Sequence, residues 1–260
     1  FQQCNFMIKK TIKKHIRKFL EALGVEVRIR PKYSKVLNYD DIYKNKILSD
    51  EPTIFDVGVN KGESIDRFSK IFKSPKIFAF EPNSKVFKII EKKYNNIKNI
   101  KLNNLGVAKE ECIKPLNITI NSGNSSFHNL EKDSEWIKIR SKEFNTTPAN
   151  YITDTIDVKC TTLDKYCEQN NIENIDILKI DTQGYEDEVL SGSSQLIRNK
   201  KINFIELEIM FDEVYTKTMS FSDVEQKLMN NYKLYGIDYQ EFKNLSEGYM
   251  FAIDALYIKK

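Results

Sequence analysis

The chain is poor in the residues most catalytic centres draw on. Among 260 residues there are two histidines, His15 and His128. A three-histidine zinc site and a His-Glu-x-x-His helix are therefore excluded. A serine–histidine–carboxylate triad would have to use one of those two, and no Gly-x-Ser-x-Gly elbow is present. The four cysteines, Cys4, Cys112, Cys160 and Cys167, form no Cys-x-x-Cys pair, which argues against a structural zinc site. Four cysteines are also too few to staple a chain of this length, so reduced thiols and a cytoplasmic compartment are expected. No apolar run approaches the ~18 residues of a membrane span. The most apolar stretch, Phe204 to Phe211, is broken by Glu206 and Glu208.

What is present suits a globular α/β protein. Apolar residues make up 40% and charged residues 30%, enough for a sizeable core under a solvated surface. The basic excess is local. Residues 1–30 carry a net +6, against −2 for the remaining 230, so the body is not built to bind a polyanion. Phe1-Gln2 reads as a remnant ahead of a natural start at Met7. Ile8, Ile12, Ile16, Phe19, Leu20 and Leu23 fall on one face of a helix over 7–23 that Gly24 would end. That helix is expected to pack on the body or on a second copy of the chain, giving a homodimer. A membrane surface or a polyanion is the other partner its charge would suit.

Residues 1–52 are thus read as a basic helix and an irregular, partly helical connection, and 53–260 as one domain. From Thr53, short apolar runs (53–57, 77–80, 100–105, 175–180, 204–209) alternate with amphipathic stretches (62–72, 83–95, 162–170, 185–198, 221–230). This alternation predicts a mainly parallel sheet. Residues 232–237 and 252–258 follow as two strands with no helix between them, an antiparallel hairpin that a dinucleotide-binding domain lacks. Residues 106–160 interrupt the pattern and read as a substrate-side insertion, with strands at 116–120 and 155–160.

The strongest motif runs from Ile54 to Gly62: an apolar strand, a glycine-containing turn, then a helix opening on Glu63-Ser64. Gly58 allows the turn and close approach of a ligand, and Gly62 allows tight helix packing. Asn60 stands where a second glycine often would, as one of the few side chains that tolerate positive φ. Open α/β sheets bind ligands at such a turn. A nicotinamide dinucleotide is disfavoured, because Asn60 breaks Gly-x-Gly-x-x-Gly and Glu63 would repel a phosphate at the helix start. S-adenosylmethionine carries no phosphate, and its sulfonium and ammonium groups suit an acidic strand end. Asp56 is expected to face that ammonium, directly or through water. Glu81 ends the second strand 23 residues after Gly58, where an acid can accept both ribose hydroxyls. Asn104, after the third strand, is placed to read the adenine edge.

A later block, Asp176 to Leu190, is again strand, glycine turn and helix. Asp181 ends its strand over the same sheet edge; capping the next helix is its plain structural alternative. Glu186 falls in the first helical turn, where a carboxylate suits the dipole anyway. Glu206 and Glu208 share one face of the following strand, a costly arrangement unless they are paired, metal-bound or turned to solvent.

In order along the chain stand Asp-Val-Gly-x-Asn-x-Gly (56–62), Glu-Pro (81–82), Asn-x-Gly-Val (104–107), Ser-Ser (125–126), Thr-Leu-Asp (162–164), Leu-Lys-Ile-Asp-x-Gln-Gly-x-Glu (178–186), Val-Leu-x-Gly (189–192) and Glu-Leu-Glu before a Phe and a Tyr (206–215). Jointly these resemble the FkbM-type methyltransferases, over roughly residues 53–258. Val59 departs from the family's usual alanine. The resemblance implies a class I, Rossmann-like fold with a seven-stranded sheet and S-adenosylmethionine-dependent O-methylation, yielding S-adenosylhomocysteine. It also implies acceptors that are often sugars or polyketide hydroxyls.

A sugar hydroxyl needs a general base, or a divalent metal, to become nucleophilic near neutral pH. Asp181 is the first candidate base. His128, in the Asn/Ser/Gly-rich stretch, is the second; its plain reading is an exposed loop histidine. A metal held by Asp181 with Glu206 or Glu208 has no spacing rule behind it. Ser125 and Ser126 are candidates to cap the cofactor or touch substrate, or are simply loop. Phe127, Trp136 and Tyr151 would stack on a sugar ring or form a local core. The expected partner is therefore a small-molecule or glycan acceptor rather than nucleic acid. Two rivals stand beside this reading. One is an RNA or protein methyltransferase docking through the basic helix, although no Asp/Asn-Pro-Pro-Tyr-type site follows the fourth strand. The other is a non-catalytic binding protein on the same fold.

Overall fold

The computed structural model describes residues 38–241 and 250–260. The basic helix expected over 7–23 lies outside the described residues. The connection before the domain holds a short helix, α1 (Tyr39–Lys46). There follow β1 (Thr53–Val57), α2 (Glu63–Ile71), β2 (Lys76–Phe80), α3 (Ser84–Tyr94) and β3 (Ile100–Asn103). Next come β4 (Gly106–Val107), β5 (Cys112–Thr119), α4 (Glu135–Glu143), β6 (Ile152–Thr161) and α5 (Leu163–Gln169). The chain continues with β7 (Ile175–Ile180), α6 (Glu186–Ser191), α7 (Ser194–Arg198), β8 (Ile202–Met210), α8 (Phe221–Leu228), β9 (Tyr232–Glu241) and β10 (Met250–Lys259).

Seven strands form one sheet in the order β3-β2-β1-β7-β8-β10-β9. All neighbours are parallel except those of β10, which runs antiparallel to both β8 and β9. This is the class I methyltransferase arrangement, including the terminal hairpin expected from the missing last helix. Alternation along the strands builds a core on each face. Phe55, Val57, Leu178 and Ile180 pack with α5–α8 on one side. Ile54, Ile77, Ile177 and Phe204 pack with α1–α3 on the other. The segment 106–161 forms a second, three-stranded sheet, β4-β6-β5, whose strands run longer than the sequence pattern indicates.

One predicted helix is corrected. The stretch 185–198 is two helices, α6 and α7, with the break at Gly192-Ser193. A Cβ on Gly192 would lie 2.1 Å from the Ala108 carbonyl oxygen, so the chain turns where the insertion presses on it. Asp164 then accepts from the backbone N–H of Gln195 (2.9 Å) and Leu196 (3.0 Å), which starts α7 afresh. No helix among the described residues is long and apolar enough to cross a membrane.

Candidate active site

The chain leaves β1 for β2 on one side and returns as β7 on the other, so the crevice between β1 and β7 is the topological switch point. A cleft opens there, partly open to solvent. The β1 turn supplies Gly58 and Asn60, the end of β2 supplies Glu81, the start of β4 supplies Gly106, and the end of β7 supplies Asp181 and Gln183. The loop after β5 closes it with Ser122, Gly123, Ser125, Ser126 and Phe127.

The turn is shaped by its backbone. Gly58 has φ +89°, and a Cβ there would fall 1.8 Å from the Asp181 carbonyl oxygen. Asn60 adopts φ 45°, the left-handed conformation expected of it. The Asn60 backbone N–H donates to Glu81 Oε2 (2.9 Å), and the Asn83 N–H donates to Oε1 (2.8 Å). Glu81 is thereby locked over the turn, buried, and lifted by that burial to a pKa of about 7. Gly62 caps α2 under the Tyr94 ring, as tight packing requires.

Four of the expected site residues lie outside the cleft lining: Gly62, which packs under Tyr94, and Asp56, Asn104 and His128. Asp56 is fully buried and does not line the cleft. Its Oδ2 accepts from the Ser64 hydroxyl, while Oδ1 has no partner. Period-two alternation puts it on the α1–α3 face, beneath the turn. Asn104 also lies outside the lining. Its side-chain amide donates to the backbone carbonyls of Glu81 (2.8 Å) and Pro82 (3.2 Å), bracing the acid. His128 is turned away into a separate hollow with Asp187, Glu188 and Lys217, its ring centroid 5.0 Å from that of Tyr185. The cause lies one turn earlier: Ser126 Oγ donates to the Gln183 carbonyl (2.7 Å) and accepts from the His128 N–H (3.1 Å), which pins the loop. Burial and Lys217 hold the imidazole below its usual range.

Asp181 does reach the cleft, but not alone. Its Oδ2 pairs with Lys179 Nζ at 3.1 Å and its Oδ1 accepts from Gln183 Nε2 at 3.0 Å. Burial alone would raise its carboxyl; the Lys179 ammonium and the Gln183 amide outweigh burial and hold it below the ordinary aspartate range. It does not cap the next helix, whose N-cap is Tyr185. Glu186 braces the turn instead, accepting from the Thr182 N–H (2.9 Å), the Thr182 hydroxyl (3.1 Å) and the Gly184 N–H (3.2 Å). Burial lifts it to about 7.

Glu206 resolves its cost by pairing with a cation, whereas Glu208, among the described residues, meets only a neutral amide. Glu206 accepts from Arg67 Nη1 (2.6 Å) and Nη2 (3.2 Å) and from the Tyr43 hydroxyl (2.5 Å), and Arg67 Nε donates to Asp40. Glu208 accepts from Gln183 Nε2 at 3.0 Å. Among the described residues, no group of three or more His, Cys, Asp and Glu is arranged to hold a metal. Trp136 and Tyr151 form a local core with Leu130 and Tyr215, whereas Phe127 lines the cleft.

Sequence reasoning overlooked Lys179 and Gln183. The signal was there for Lys179, a lone cation two residues before Asp181 in an apolar strand, hence on the same face. Gln183 bonds locally to Asp181, but its other side-chain partners, Glu208 and Tyr215, come from β8 and the loop after it, and nothing in the local sequence marks them.

The donor set fits one kind of ligand. Two carboxylates, Glu81 and Asp181, line the cleft, and no lysine or arginine does. A cationic group is favoured there and a phosphate is not, as S-adenosylmethionine requires. Residues 56–238 match the methyltransferase FkbM domain. The chain belongs to the FkbM methyltransferase family. Its domain is accordingly an S-adenosylmethionine-dependent methyltransferase domain. The chain is 24% identical over 178 residues to the 2-O-methyltransferase NoeI of Sinorhizobium fredii. That match covers 64% of this chain and 66% of the relative, a little under two thirds of its length. Among solved structures, an rRNA methylase from Streptococcus thermophilus superposes with a TM-score of 0.45 at 11% identity, covering 90% of this chain and 99% of that one. A TehB-like methyltransferase from Corynebacterium glutamicum gives 0.42 at 9% identity, covering 96% and 97%. At these identities neither bears on the acceptor of this FkbM protein.

Proposed function

We propose that this protein transfers the methyl group of S-adenosylmethionine to a hydroxyl oxygen of a sugar or glycan. The carrying observation is the cleft at the β1/β7 switch point, lined by two carboxylates and no basic residue. In this reading Glu81 accepts the ribose hydroxyls through its two oxygens. Phe80, Leu105 and Leu116 take the adenine, and Ser125 closes over the cofactor. Gly58, Asn60 and Gly62 shape the turn under it, Asn104 steadies Glu81, and Asp56 holds the turn through Ser64. Asp181 stays ionised and faces the positive end of the donor. S-adenosylmethionine supplies a methyl group activated by its sulfonium.

A hydroxyl acceptor is supported by the similarity to a relative named as a 2-O-methyltransferase. The rival with a polyanionic acceptor rests on the basic segment 1–30, and no described residue favours it. Calorimetric titration with S-adenosylhomocysteine tests the cofactor half of the proposal. Micromolar binding that Glu81→Ala removes is the expected result; no binding by a folded protein would overturn it. Transfer of labelled methyl groups to a panel of hexoses and methyl hexosides tests the acceptor half.

A further inference from the structure

Gln183 lines two neighbouring cavities and stands where they meet. One is the cleft just described. The other, also open to solvent, is lined by Gln183 and by Asn124, Trp136, Arg140, Glu208, Met210 and Phe251. No residue is shared between the two linings except Gln183. The amide is fixed from three sides. Its Nε2 donates to Asp181 Oδ1 and to Glu208 Oε2, both at 3.0 Å, and its Oε1 accepts from the Tyr215 hydroxyl at 3.1 Å. The backbone holds φ 57°, unusual for a residue with a Cβ, and such strain persists where the surroundings enforce it. The bonded oxygens of Asp181 and Glu208 therefore lie within twice that hydrogen-bond length of each other, one in each cavity.

We propose that the second cavity seats the acceptor and that Glu208 is the base that takes the proton from its hydroxyl. The inference rests on the methyltransferase reading and deepens it. The acceptor class that fits is a neutral polyhydroxylated ring. The lining offers apolar surface from Phe251 and the edges of the otherwise buried Trp136 and Met210. It also offers planar polar groups from Asn124, Gln183, Arg140 and Glu208, a mixture suited to C–H faces and hydroxyl edges. In the step itself the acceptor oxygen attacks the methyl carbon and a C–O bond forms. The C–S bond breaks with its electron pair remaining on sulfur, and the hydroxyl proton passes to the Glu208 carboxylate. Charge balances: a cationic donor and an anionic base give a neutral thioether and a neutral carboxylic acid.

Of the two carboxylates, Glu208 is the better base. Asp181 is neutralised by Lys179 and held low. Glu208 is lifted well above the ordinary glutamate range, by burial first and then by the negative charges of Asp181, Glu186 and Asp254, against a smaller lowering by Lys179. These are the charged groups facing it from β7, α6 and β10. Arg140 of α4 lines the same cavity, and the Tyr215 hydroxyl stands behind Gln183.

Trp136 is the chain's single tryptophan and lines this cavity, so intrinsic fluorescence reports on it specifically. The full chain, saturated with S-adenosylhomocysteine, would be titrated with methyl hexosides while tryptophan emission is read. Methyl transfer from labelled S-adenosylmethionine to the same sugars would then be followed across pH for the wild type, Glu208→Gln and Glu208→Asp. A sugar-dependent change in Trp136 emission is expected. Glu208→Gln should bind S-adenosylhomocysteine and sugar within about threefold of wild type, yet lose about 10²-fold or more in turnover, the usual worth of a general base. Glu208→Asp should recover part of it. Wild-type turnover should rise with pH through the Glu208 ionisation, and residual Glu208→Gln turnover should lack that rise. The base assignment is overturned if Glu208→Gln turns over within threefold of wild type. The acceptor site is overturned if the cofactor product binds but no sugar moves the Trp136 signal. If S-adenosylhomocysteine itself fails to bind the wild type, the underlying methyltransferase reading falls as well, so the two failures are distinct.

Discussion

Lys179 Nζ lies 3.1 Å from Asp181 Oδ2, two residues along one face of a single buried strand. In the next row Lys179 stands opposite Asp56 on β1 and Glu206 on β8. One ammonium thus serves three carboxylates in the middle of the sheet. It sets the charge of Asp181 in the cleft and ties that charge to the Arg67–Glu206 pair beneath α2.

Replacing Lys179 with Met should leave those carboxylates without their shared cation. Breaking a fully buried pair from one side costs about 3–5 kcal/mol; Asp181 is 39% exposed, so urea denaturation should show a smaller loss, about 1–2 kcal/mol. Adding Asp56→Asn should return part of it. If Lys179→Met alone unfolds at the wild-type midpoint, the cation does not carry the network.

Glu81 makes cofactor binding depend on pH. Its pKa, about 7 in the folded chain, lies above its ordinary 4.5. The folded state therefore holds this proton more tightly. The group's contribution to stability is full below about 4.5 and is lost as pH rises through about 7. Binding runs the other way, because only the carboxylate accepts both ribose hydroxyls. S-adenosylhomocysteine should bind roughly tenfold more tightly at pH 8 than at pH 6. Glu81→Gln should flatten that profile and weaken binding overall, whereas a profile unchanged in the variant would assign the effect to another group.

Gly58→Ala should be severe. The turn needs φ +89°, and the new methyl would overlap the Asp181 carbonyl. A destabilisation of about 3 kcal/mol or more is expected, with loss of cofactor binding, read by thermal unfolding and calorimetry. A mild effect would mean that the β1 and β7 turns separate easily.

Asn104→Ala separates bracing from base recognition. Losing two hydrogen bonds at an exposed side chain should cost about 1 kcal/mol, or roughly fivefold in S-adenosylhomocysteine affinity. Preference for adenine over hypoxanthine in the bound product should not change. A variant that loses that preference would place the Asn104 amide on the base.

Much of the fold is legible because hydrophobic alternation and glycine placement are local. Strands β1, β2 and β7 fall where apolar runs meet a glycine or an Asn-capped turn, and the terminal hairpin follows from two runs with no helix between them. The break in the predicted 185–198 helix was not legible. It comes from the Ala108 carbonyl pressing on Gly192, 84 residues away in the chain.

The candidate site divides in the same way. Gly58, Asn60, Glu81 and Asp181 were marked by the sequence alone, since each ends a strand or sits in its turn, and parallel strands bring such ends to one edge. What only the tertiary structure decided is what each side chain does there. The pleat sends Asp56 under the turn, a serine anchor rotates His128 away, and Asn104 bends back to backbone carbonyls. Lys179 silences the basicity of Asp181, and Gln183 joins it to Glu208 across two cavities. Strand ends are specified by neighbours in sequence; charge state and orientation are specified by neighbours in space, drawn from strands that meet only when the sheet closes.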